Sequence, residues 1–406
     1  MTSALRPDSA QGVLDAVAWA AAEEIPLEIL GHGSRRGIGR PVQAEYTLDL
    51  SGLSGVTLYE PEELVLSARA GTPLAEIKQI LRDSNQALAF EPMDCGPLFG
   101  LPRGQGSIGG VLASNASGPR RIKAGAARDH VLGIHAVSGR GEAFKSGGRV
   151  VKNVTGYDLS KGLAGSWGTL AVLTDVTFKV LPRPEHEATV VVSGLDDERA
   201  VAVLCQAMGS PWDVSGAAHL PEAIASDVPD FVAAAGGAAT LIRLEGFPPS
   251  VDYRAEKLRS QFGALDLALL EPQASEALWR AVRDAEMLGS TTHPVWRVSV
   301  APTMGPEVIA ALAAKHAIRH YYDWSGGLIW IEAPDAPLDG LAGAIRAAIA
   351  ACGGGHATLM RGSPALRTAI PPFEPQPEAL AALSKRLKEQ FDPRRILNPG
   401  RVSDNI

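Results

Sequence analysis

The sequence contains few cysteines and no cysteine pair of the kind that holds a metal. The 406 residues include three cysteines, Cys95, Cys205 and Cys352, which are far apart and form no CxxC motif. This spacing argues against a disulfide framework and against a cysteine-based metal or iron–sulfur site. We therefore expect reduced, buried thiols in a cytoplasmic protein.

The sequence also lacks an excess of basic residues and a long apolar run. Its formal net charge is −7, and its densest basic cluster is Arg120, Arg121 and Lys123, which argues against a nucleic-acid partner or a membrane surface. The N-terminus reads as an amphipathic helix over residues 9–24, not as a signal peptide. The sequence contains no run of about 18 apolar residues, which is the length that a membrane-spanning helix needs.

What is present is the composition of a globular protein with sizeable cores. Apolar residues make up 46% and charged residues 20% of the chain, and the length suggests two or three domains. We predict strands over 27–30 and in LAFEPM, and a C-terminal helix that stops at Asp392-Pro393. The segment LPRPEHE, residues 181–187, marks a domain boundary because its two prolines interrupt regular structure. Beyond it, alternating strands and helices indicate a sheet with helices packed on one face.

Glycine is concentrated in loops of the N-terminal half. The first loop, GHGSRRGIGRP, follows a predicted strand, but it lacks the GxGxxG spacing of a nicotinamide-type Rossmann turn because the sixth residue from Gly31 is Arg36. Its free backbone N–H groups and Ser34 could still hold a diphosphate. The alternative is a plain turn between strands.

A second stretch, GQGSIGGVLASNASG at residues 104–118, has too many glycines for a stable helix or an ordinary strand. Gly109 and Gly110 would let a ligand approach where a Cβ atom would collide. A third stretch, GLAGSWGTLAVLTD, adds Gly165 and Gly168. Three such loops are hard to explain by turns alone, and they favour a large polar ligand.

Taken in order, these motifs resemble the FAD-binding (PCMH-type) domain of the vanillyl-alcohol-oxidase superfamily, and within it the E subunits of bacterial glycolate oxidase (glycolate dehydrogenase). The resemblance covers residues 20–185 and 391–402, including DHVLGIHAV, GYDLSKGLAGSWGTLAVLTD and FDPRRILNPGRV. It implies an α+β protein with a two-subdomain PCMH-type FAD-binding domain (1–185) and an α+β cap domain of antiparallel sheet with helices (186–390). A tail (391–406) would return to the FAD domain.

The resemblance also implies FAD as the cofactor. The first loop would hold the diphosphate, and the second would lie along the diphosphate and the isoalloxazine. Trp167 replaces a glutamate that many relatives carry, so any role of that carboxylate is lost. His32 and Cys95 are not in an attachment motif that we recognise, so we expect non-covalent FAD. The implied cofactor-binding residues are Gly31, His32, Gly33, Ser34, Arg35, Gly106, Ser107, Ile108, Gly109, Gly110, Ser114, Asn115, Ser117, Gly118, Asp129, Gly133, Gly168, Val172 and Asn398.

By the same resemblance, the chain is expected to be an FAD-dependent oxidoreductase acting on CH–OH groups. It would oxidise glycolate, a 2-hydroxy acid, to glyoxylate together with a catalytic FAD subunit and an iron–sulfur subunit. The alternatives are a stand-alone oxidoreductase of a small hydroxy acid or alcohol and a structural FAD-binding scaffold. We expect a cytoplasmic location, to which partner subunits could add contact with the inner membrane.

The catalytic residues are less clear from the sequence. The histidine-rich motif of the catalytic subunit, roughly H-x-x-G-D-G-N-x-H, is absent; its nearest counterpart is GGGHATLMRG, with His356 and Arg361 as candidates. His356 could equally be a strand-start histidine bonded to backbone. His316 and His320 have a spacing of four, which places residues on one helical face, but no third metal ligand is visible and we expect no metal.

Overall fold

The computed structural model describes residues 3–150, 156–228, 237–337 and 339–403. The α-helices in these ranges are α1 Ala10–Glu23, α2 Leu74–Asp83, α3 Ile108–Ser114, α4 Arg121–Ala124, α5 Ala127–His130, α6 Leu159–Leu163, α7 Asp197–Met208, α8 Glu222–Ala225, α9 Pro248–Gln261, α10 Pro272–Asp284, α11 Gly305–Ala313, α12 Ala342–Ala351, α13 Pro364–Ala369 and α14 Glu378–Phe391. The strands are β1 Ser3–Leu5, β2 Leu27–Leu30, β3 Tyr46–Asp49, β4 Val56–Glu60, β5 Val65–Arg69, β6 Gln86–Ala87, β7 Val131–Ser138, β8 Ala143–Gly147, β9 Ala171–Lys179, β10 Leu181–Pro182, β11 His186–Ser193, β12 Gly216–Leu220, β13 Ala239–Gly246, β14 Leu267–Leu270, β15 Val295–Val300, β16 Arg319–Asp323, β17 Leu328–Glu332 and β18 Gly355–Arg361.

The chain begins with a small parallel sheet covered by one helix. The strand order is β1-β3-β2. Helix α1 begins where the Ser9 hydroxyl accepts a hydrogen bond from the Gly12 N–H. Val13, Val17 and Ala20 recur on one face of α1 and are fully buried. The first glycine loop starts directly where β2 ends.

An antiparallel five-stranded sheet follows, in the order β4-β5-β9-β7-β8. Helices α2 and α3 bury their apolar residues against it, in one core that contains Ile77, Val111 and Phe178. Because α3 is held by this core, the second glycine stretch lies between the two N-terminal sheets. The sheets therefore bring the glycine loops of separate segments together.

The C-terminal segment returns to the N-terminal half and is fastened there by a buried ion pair. Lys388 on α14 and Asp392 just after it are both fully buried, and Nζ lies 2.7 Å from the carboxylate. Nζ also donates to the carbonyl oxygens of Thr169 and Leu397. Leu397 then forms a parallel bridge with Leu27. The tail is thus an additional edge contact of the first sheet.

The C-terminal half is built on one antiparallel sheet of eight strands, in the order β14-β11-β13-β12-β16-β17-β15-β18. Helices, among them α11 and α12, pack on one of its faces. The other face, with Tyr321 and Trp330, shares a core with Ile38, Met93 and Leu98 of the N-terminal half. This second face forms the seam between the halves.

The expected α+β class and the antiparallel sheet with helices are both present. Strand β11 begins at His186 and helix α14 ends at Phe391, next to the predicted boundaries at 185 and 391. The division into domains itself remains a prediction. No helix among the described residues is long and apolar enough to cross a membrane.

The prediction that the second glycine stretch cannot be helical was wrong. Residues 108–114 form α3, with the Ser107 hydroxyl accepting from the Gly110 N–H at its start. Ile108, Val111 and Leu112 are fully buried. Tertiary packing of this apolar face offsets the low helix propensity of glycine, which local composition cannot reveal.

The predicted strand in LAFEPM was also wrong. Only Gln86 and Ala87, just before it, pair as a strand, and they pair with β10. Within LAFEPM, Phe90 is fully buried and Glu91 has a left-handed backbone with φ of 47°. Burial without alternation produced the strand-like pattern.

Candidate functional site

A cleft opens where the glycine segments of the N-terminal half meet the C-terminal tail. It encloses about 750 Å³ that no protein atom occupies and is partly open to solvent. The lining residues are Ile29, Leu30, Gly31, His32, Gly33, Ser34, Arg35, Arg36, Leu50, Ala70, Ser107, Gly109, Gly110, Ala113, Ser114, Ser166, Trp167, Gly168, Ala171, Leu173, Asn398 and Arg401.

The first wall is the loop that follows β2. His32 Nε2 donates to the Gly71 carbonyl oxygen at 2.9 Å, and the Arg35 guanidinium donates to the Met93 carbonyl oxygen at 2.9 Å. Gly33 has φ of 74°, a conformation that favours glycine. The side chains of His32 and Arg35 thus anchor the loop to neighbouring backbone.

The second wall is helix α3. A Cβ atom on Gly109 would lie 2.8 Å from the Ala70 carbonyl oxygen, so this glycine is required by close packing of the helix on the end of β5. A Cβ atom on Gly110 would lie 3.2 Å from Ser107 Oγ and 3.4 Å from Arg35 Nη1. The absence of a side chain at Gly110 therefore leaves space on the cleft side of α3, whereas its absence at Gly109 allows close packing against Ala70.

The third wall is the turn at residues 166–168, joined to the tail. Trp167 and Gly168 both have left-handed backbones, with φ of 55° and 71°. The Trp167 N–H donates to the Ala113 carbonyl oxygen at 2.8 Å, which docks the turn on the end of α3. Asn398 accepts from the Ile29 N–H at 2.8 Å and donates to the Trp167 carbonyl oxygen at 2.8 Å. One tail residue therefore links the first wall to the third.

Arg401 adds a positive charge that the sequence analysis missed. It is buried, its Nη2 donates to the Arg35 carbonyl oxygen at 2.8 Å, and its guanidinium lies 5.8 Å from the centre of the Trp167 ring. Burial lowers the pKa of Arg401 to about 10. Its Nε is buried without a hydrogen-bond partner among the described residues. A buried cation with an unused donor in a glycine-lined cleft fits an anionic dinucleotide.

The structure brings many, but not all, of the predicted cofactor residues to this cleft. Those that line it are Gly31, His32, Gly33, Ser34, Arg35, Ser107, Gly109, Gly110, Ser114, Gly168 and Asn398. Those outside the lining are Gly106, Ile108, Asn115, Ser117, Gly118, Asp129, Gly133 and Val172. The assignment of both groups to FAD remains a prediction.

The residues outside the lining have contacts of their own. Asn115 accepts from the Arg128 N–H and Ser117 from the Ala127 N–H, both in α5. Asp129 accepts from the Ala126 N–H. Ile108 and Val172 are fully buried, so neither is exposed to the cleft. The observed contacts of Asn115, Ser117 and Asp129 therefore hold the loops in place within the protein.

Of the lining residues not named from the sequence, most are apolar or basic. A signal existed for two of them: the family resemblance marks Trp167 as a replacement for glutamate, and Arg401 follows the NPG of the terminal motif. Apolar members such as Ile29 and Leu173 belong to strands and carry no local mark of a ligand site. They are placed in the cleft by strand ends meeting in space.

The two candidate catalytic residues differ in availability. All five N–H groups of Arg361 have acceptors: the carbonyl oxygens of His293, Leu98 and Leu288, Thr291 Oγ1 and Glu332 Oε1. This favours a structural role for Arg361, as a clamp between β18 and the N-terminal half. His356 is exposed, and among the described residues its ring makes no hydrogen bond to the backbone of the kind expected for a strand-start histidine. Its catalytic role remains a prediction.

His316 and His320 do not share a helix. Helix α11 ends at Ala313, and His320 lies in strand β16, where its Nε2 is 2.7 Å from the Asp197 carboxylate. The two histidines therefore do not lie on one helical face, because His316 follows the end of α11 and His320 belongs to a strand.

A second cleft at the seam is lined by ion pairs. Arg243 is almost fully buried and donates to both carboxylate oxygens of Glu91, at 3.0 and 2.9 Å. Arg120 is paired with Glu245 beside it. Burial alone would raise the pKa of Glu91, but Arg243 and Arg120 outweigh it and bring the value to about 2. The charges satisfy one another, so this network ties the halves together.

Comparison with known proteins agrees with this architecture. The model of a family described as FAD binding domain matches residues 2–147. The glycolate oxidase subunit GlcE of Escherichia coli (strain K12) is 32% identical over 398 residues, covering 97% of each chain. The glycolate oxidase subunit GlcD of Bacillus subtilis (strain 168) is 25% identical over 319 residues, covering 73% of this chain and 68% of that protein.

A solved structure extends the agreement to the fold. The crystal structure of p-cresol methylhydroxylase with substrate bound has a TM-score of 0.72 at 14% identity, covering 98% of this chain and 88% of that one. The expected PCMH-type fold is thereby confirmed. The chain contains an FAD-binding domain and belongs to the family of the glycolate oxidase subunit GlcE.

Proposed function

We propose that this chain is an FAD-binding subunit of a glycolate oxidase (glycolate dehydrogenase) complex that oxidises a small 2-hydroxy acid. The observation that carries this proposal is the match to GlcE along nearly the whole of both chains, combined with a glycine-lined cleft that contains a buried cation. The proposed products are glyoxylate from glycolate and a reduced flavin.

Different residues of the cleft would contact or make room for different parts of FAD. The first loop and Arg401 would face the diphosphate, because free N–H groups and a guanidinium suit phosphate oxygens. Gly110 would leave room beside α3, and Asn398 would hold the walls at a constant distance. When bound, FAD supplies the two-electron acceptor that alcohol oxidation needs. The protein's own contribution is to position that acceptor and to exclude water.

The proposed partners are a catalytic FAD subunit and an iron–sulfur subunit. The reason is that this chain lacks the histidine-rich motif and that Arg361 is committed to structural bonds. Electrons would then leave through the iron–sulfur subunit. The proposed location is the cytoplasm, with contact to the inner membrane through these partners.

The proposal is tested by comparing the lone chain with the assembled complex. We expect anaerobic glycolate to leave the flavin absorbance of the lone FAD-loaded chain unchanged, and to reduce the complex that copurifies with it. Bleaching of the lone chain's flavin by glycolate would instead establish the stand-alone oxidoreductase, which His356 in the seam favours. A flavin that stays oxidised while the complex turns over would support the scaffold alternative.

Non-covalent attachment is a separate expectation. His32 is hydrogen-bonded to the backbone of Gly71, and Cys95 is 2% exposed with a pKa that burial raises, so neither offers a ready nucleophile. We expect acid precipitation of the yellow protein to release all flavin into the supernatant. Yellow colour that stays with the washed pellet would contradict this.

A further inference from the structure

Two arginines meet at one tryptophan in the seam. The guanidinium carbons of Arg121 and Arg297 each lie 4.8 Å from the centre of the Trp324 ring, so they are at most twice that distance apart. Arg121 comes from α4 of the N-terminal half and Arg297 from β15 of the large sheet. The Trp324 indole N–H donates to the Gly118 carbonyl oxygen at 3.1 Å. The cluster therefore exists only when both halves are together.

Neither guanidinium is paired with a carboxylate of the residues that the structure describes. Within the described part of the chain, each guanidinium makes its close contact with the Trp324 ring. Arg243 on the same sheet, by contrast, is bidentate on Glu91. Burial, and then the charge of Arg121, lower the pKa of Arg297 to about 10. Two half-buried cations without a counter-ion among the described residues cost folding free energy, and an anion between them would recover part of it.

The acids that act on these arginines from a distance are engaged elsewhere. Asp323 accepts from the Trp324 N–H at 2.7 Å, and burial raises its pKa to about 7, so it is a weak counter-charge near neutral pH. Asp129 accepts from the Ala126 N–H at 2.8 Å. The positive charges of Arg121 and Arg297 beside Trp324 are thus available to an anionic ligand.

The neighbouring positions on the sheet are polar. Strands β15 and β18 pair Arg297 with Thr358 and Ser299 with His356, so these four side chains share one face. The alternate residues of both strands, such as Val298, are buried on the opposite face. His356 is exposed, but partial desolvation by its surroundings, followed by the charge of Arg297, lowers its pKa, which keeps its imidazole neutral near pH 7.

We propose that Arg121 and Arg297 bind the carboxylate of a small 2-hydroxy acid beside the Trp324 ring. The hydroxyl groups of Ser299 and Thr358 and the neutral imidazole of His356 would face the rest of that molecule. This inference rests on the proposed function and adds a binding site for the acid on this chain, while the oxidation itself stays with the proposed catalytic subunit. Guanidinium groups are suited to carboxylates because their planar N–H donors match the two oxygens.

The test uses oxalate as a carboxylate probe. Oxalate has no alcohol group, so a glycolate-oxidising flavoprotein cannot oxidise it at a CH–OH carbon. Oxalate is titrated calorimetrically into the full FAD-loaded chain and into its Arg297→Met and Arg121→Met variants. We expect each variant to bind oxalate on the order of tenfold or more weakly, since loss of one charge-assisted contact exceeds about 1.4 kcal/mol. Arg297→Lys should lie in between. Arg259→Met, an exposed arginine on α9, is the matched control and should bind like the parent.

Several results would overturn the site. They are failure of the parent chain to bind oxalate, unchanged affinity in both methionine variants, or equal affinity for inorganic phosphate, which would remove the carboxylate class. If Arg297→Met unfolds, Arg121→Met on the opposite half gives the same test. Oxalate binding is independent of turnover. A chain that binds oxalate through these arginines but forms no glycolate-oxidising complex would retain the site and lose the proposed function.

Discussion

Replacing Gly110 with leucine is expected to yield a folded protein without flavin. Gly110 lies in helix α3 and lines the cleft, and its neighbours on that side are Ser107 Oγ and Arg35 Nη1. A leucine side chain would extend from there into the space assigned to FAD. We expect affinity for FAD to fall on the order of 100-fold or more, which corresponds to about 2.7 kcal/mol.

This variant separates binding from folding. Gly110 has an ordinary helical backbone, so leucine adds helix propensity, worth up to about 1 kcal/mol relative to glycine. Stability of the flavin-free protein should therefore be kept. The measurement is flavin per chain by absorbance, with thermal unfolding of the stripped protein alongside. Gly162→Leu, at an exposed position of α6 with no atom within 4 Å of an added Cβ, is the control. Full flavin content in Gly110→Leu would mean that FAD lies elsewhere.

Replacing Lys388 with methionine is expected to cause the largest loss of stability. The ammonium group is fully buried against Asp392 and two carbonyl oxygens. Removing it leaves an uncompensated carboxylate in the interior, which typically costs about 3–5 kcal/mol. The free energy of unfolding is measured by urea denaturation. Lys385→Met, exposed on the same helix, should change it by less than about 0.5 kcal/mol.

The same substitution should also weaken flavin binding, because the pair fastens the tail that presents Asn398 to the cleft. Asp392 accepts from the Ile396 and Leu397 N–H groups, and Asn398 follows directly. The double variant Lys388→Met/Asp392→Leu should recover part of the stability, since no buried charge then remains. It should not recover flavin affinity, because the backbone contacts of Asp392 are lost. Equal stability of Lys388→Met and the parent would contradict the assigned role of the ion pair.

Strand and helix positions with strong local signals were predictable. The amphipathic pattern over residues 9–24 indicated α1, and Asp392-Pro393 indicated the end of α14. The segment around Phe90 was not predictable, because a buried irregular chain has the same composition as a strand. Helix α3 was not predictable either, because it depends on packing against a sheet whose strands come from elsewhere in the sequence.

For the candidate site, the sequence by itself determined which loops are rich in glycine and, through their ordered motifs, that they resemble an FAD-binding domain. Only the tertiary structure decided that Gly109 is required by Ala70 while Gly110 borders the cleft, and that Arg401 returns to the first loop. It alone placed Arg121 and Arg297 at one tryptophan. The physical reason is that a composition signal is local, whereas a missing Cβ or an unpaired charge acquires meaning only from the atoms that folding brings next to it.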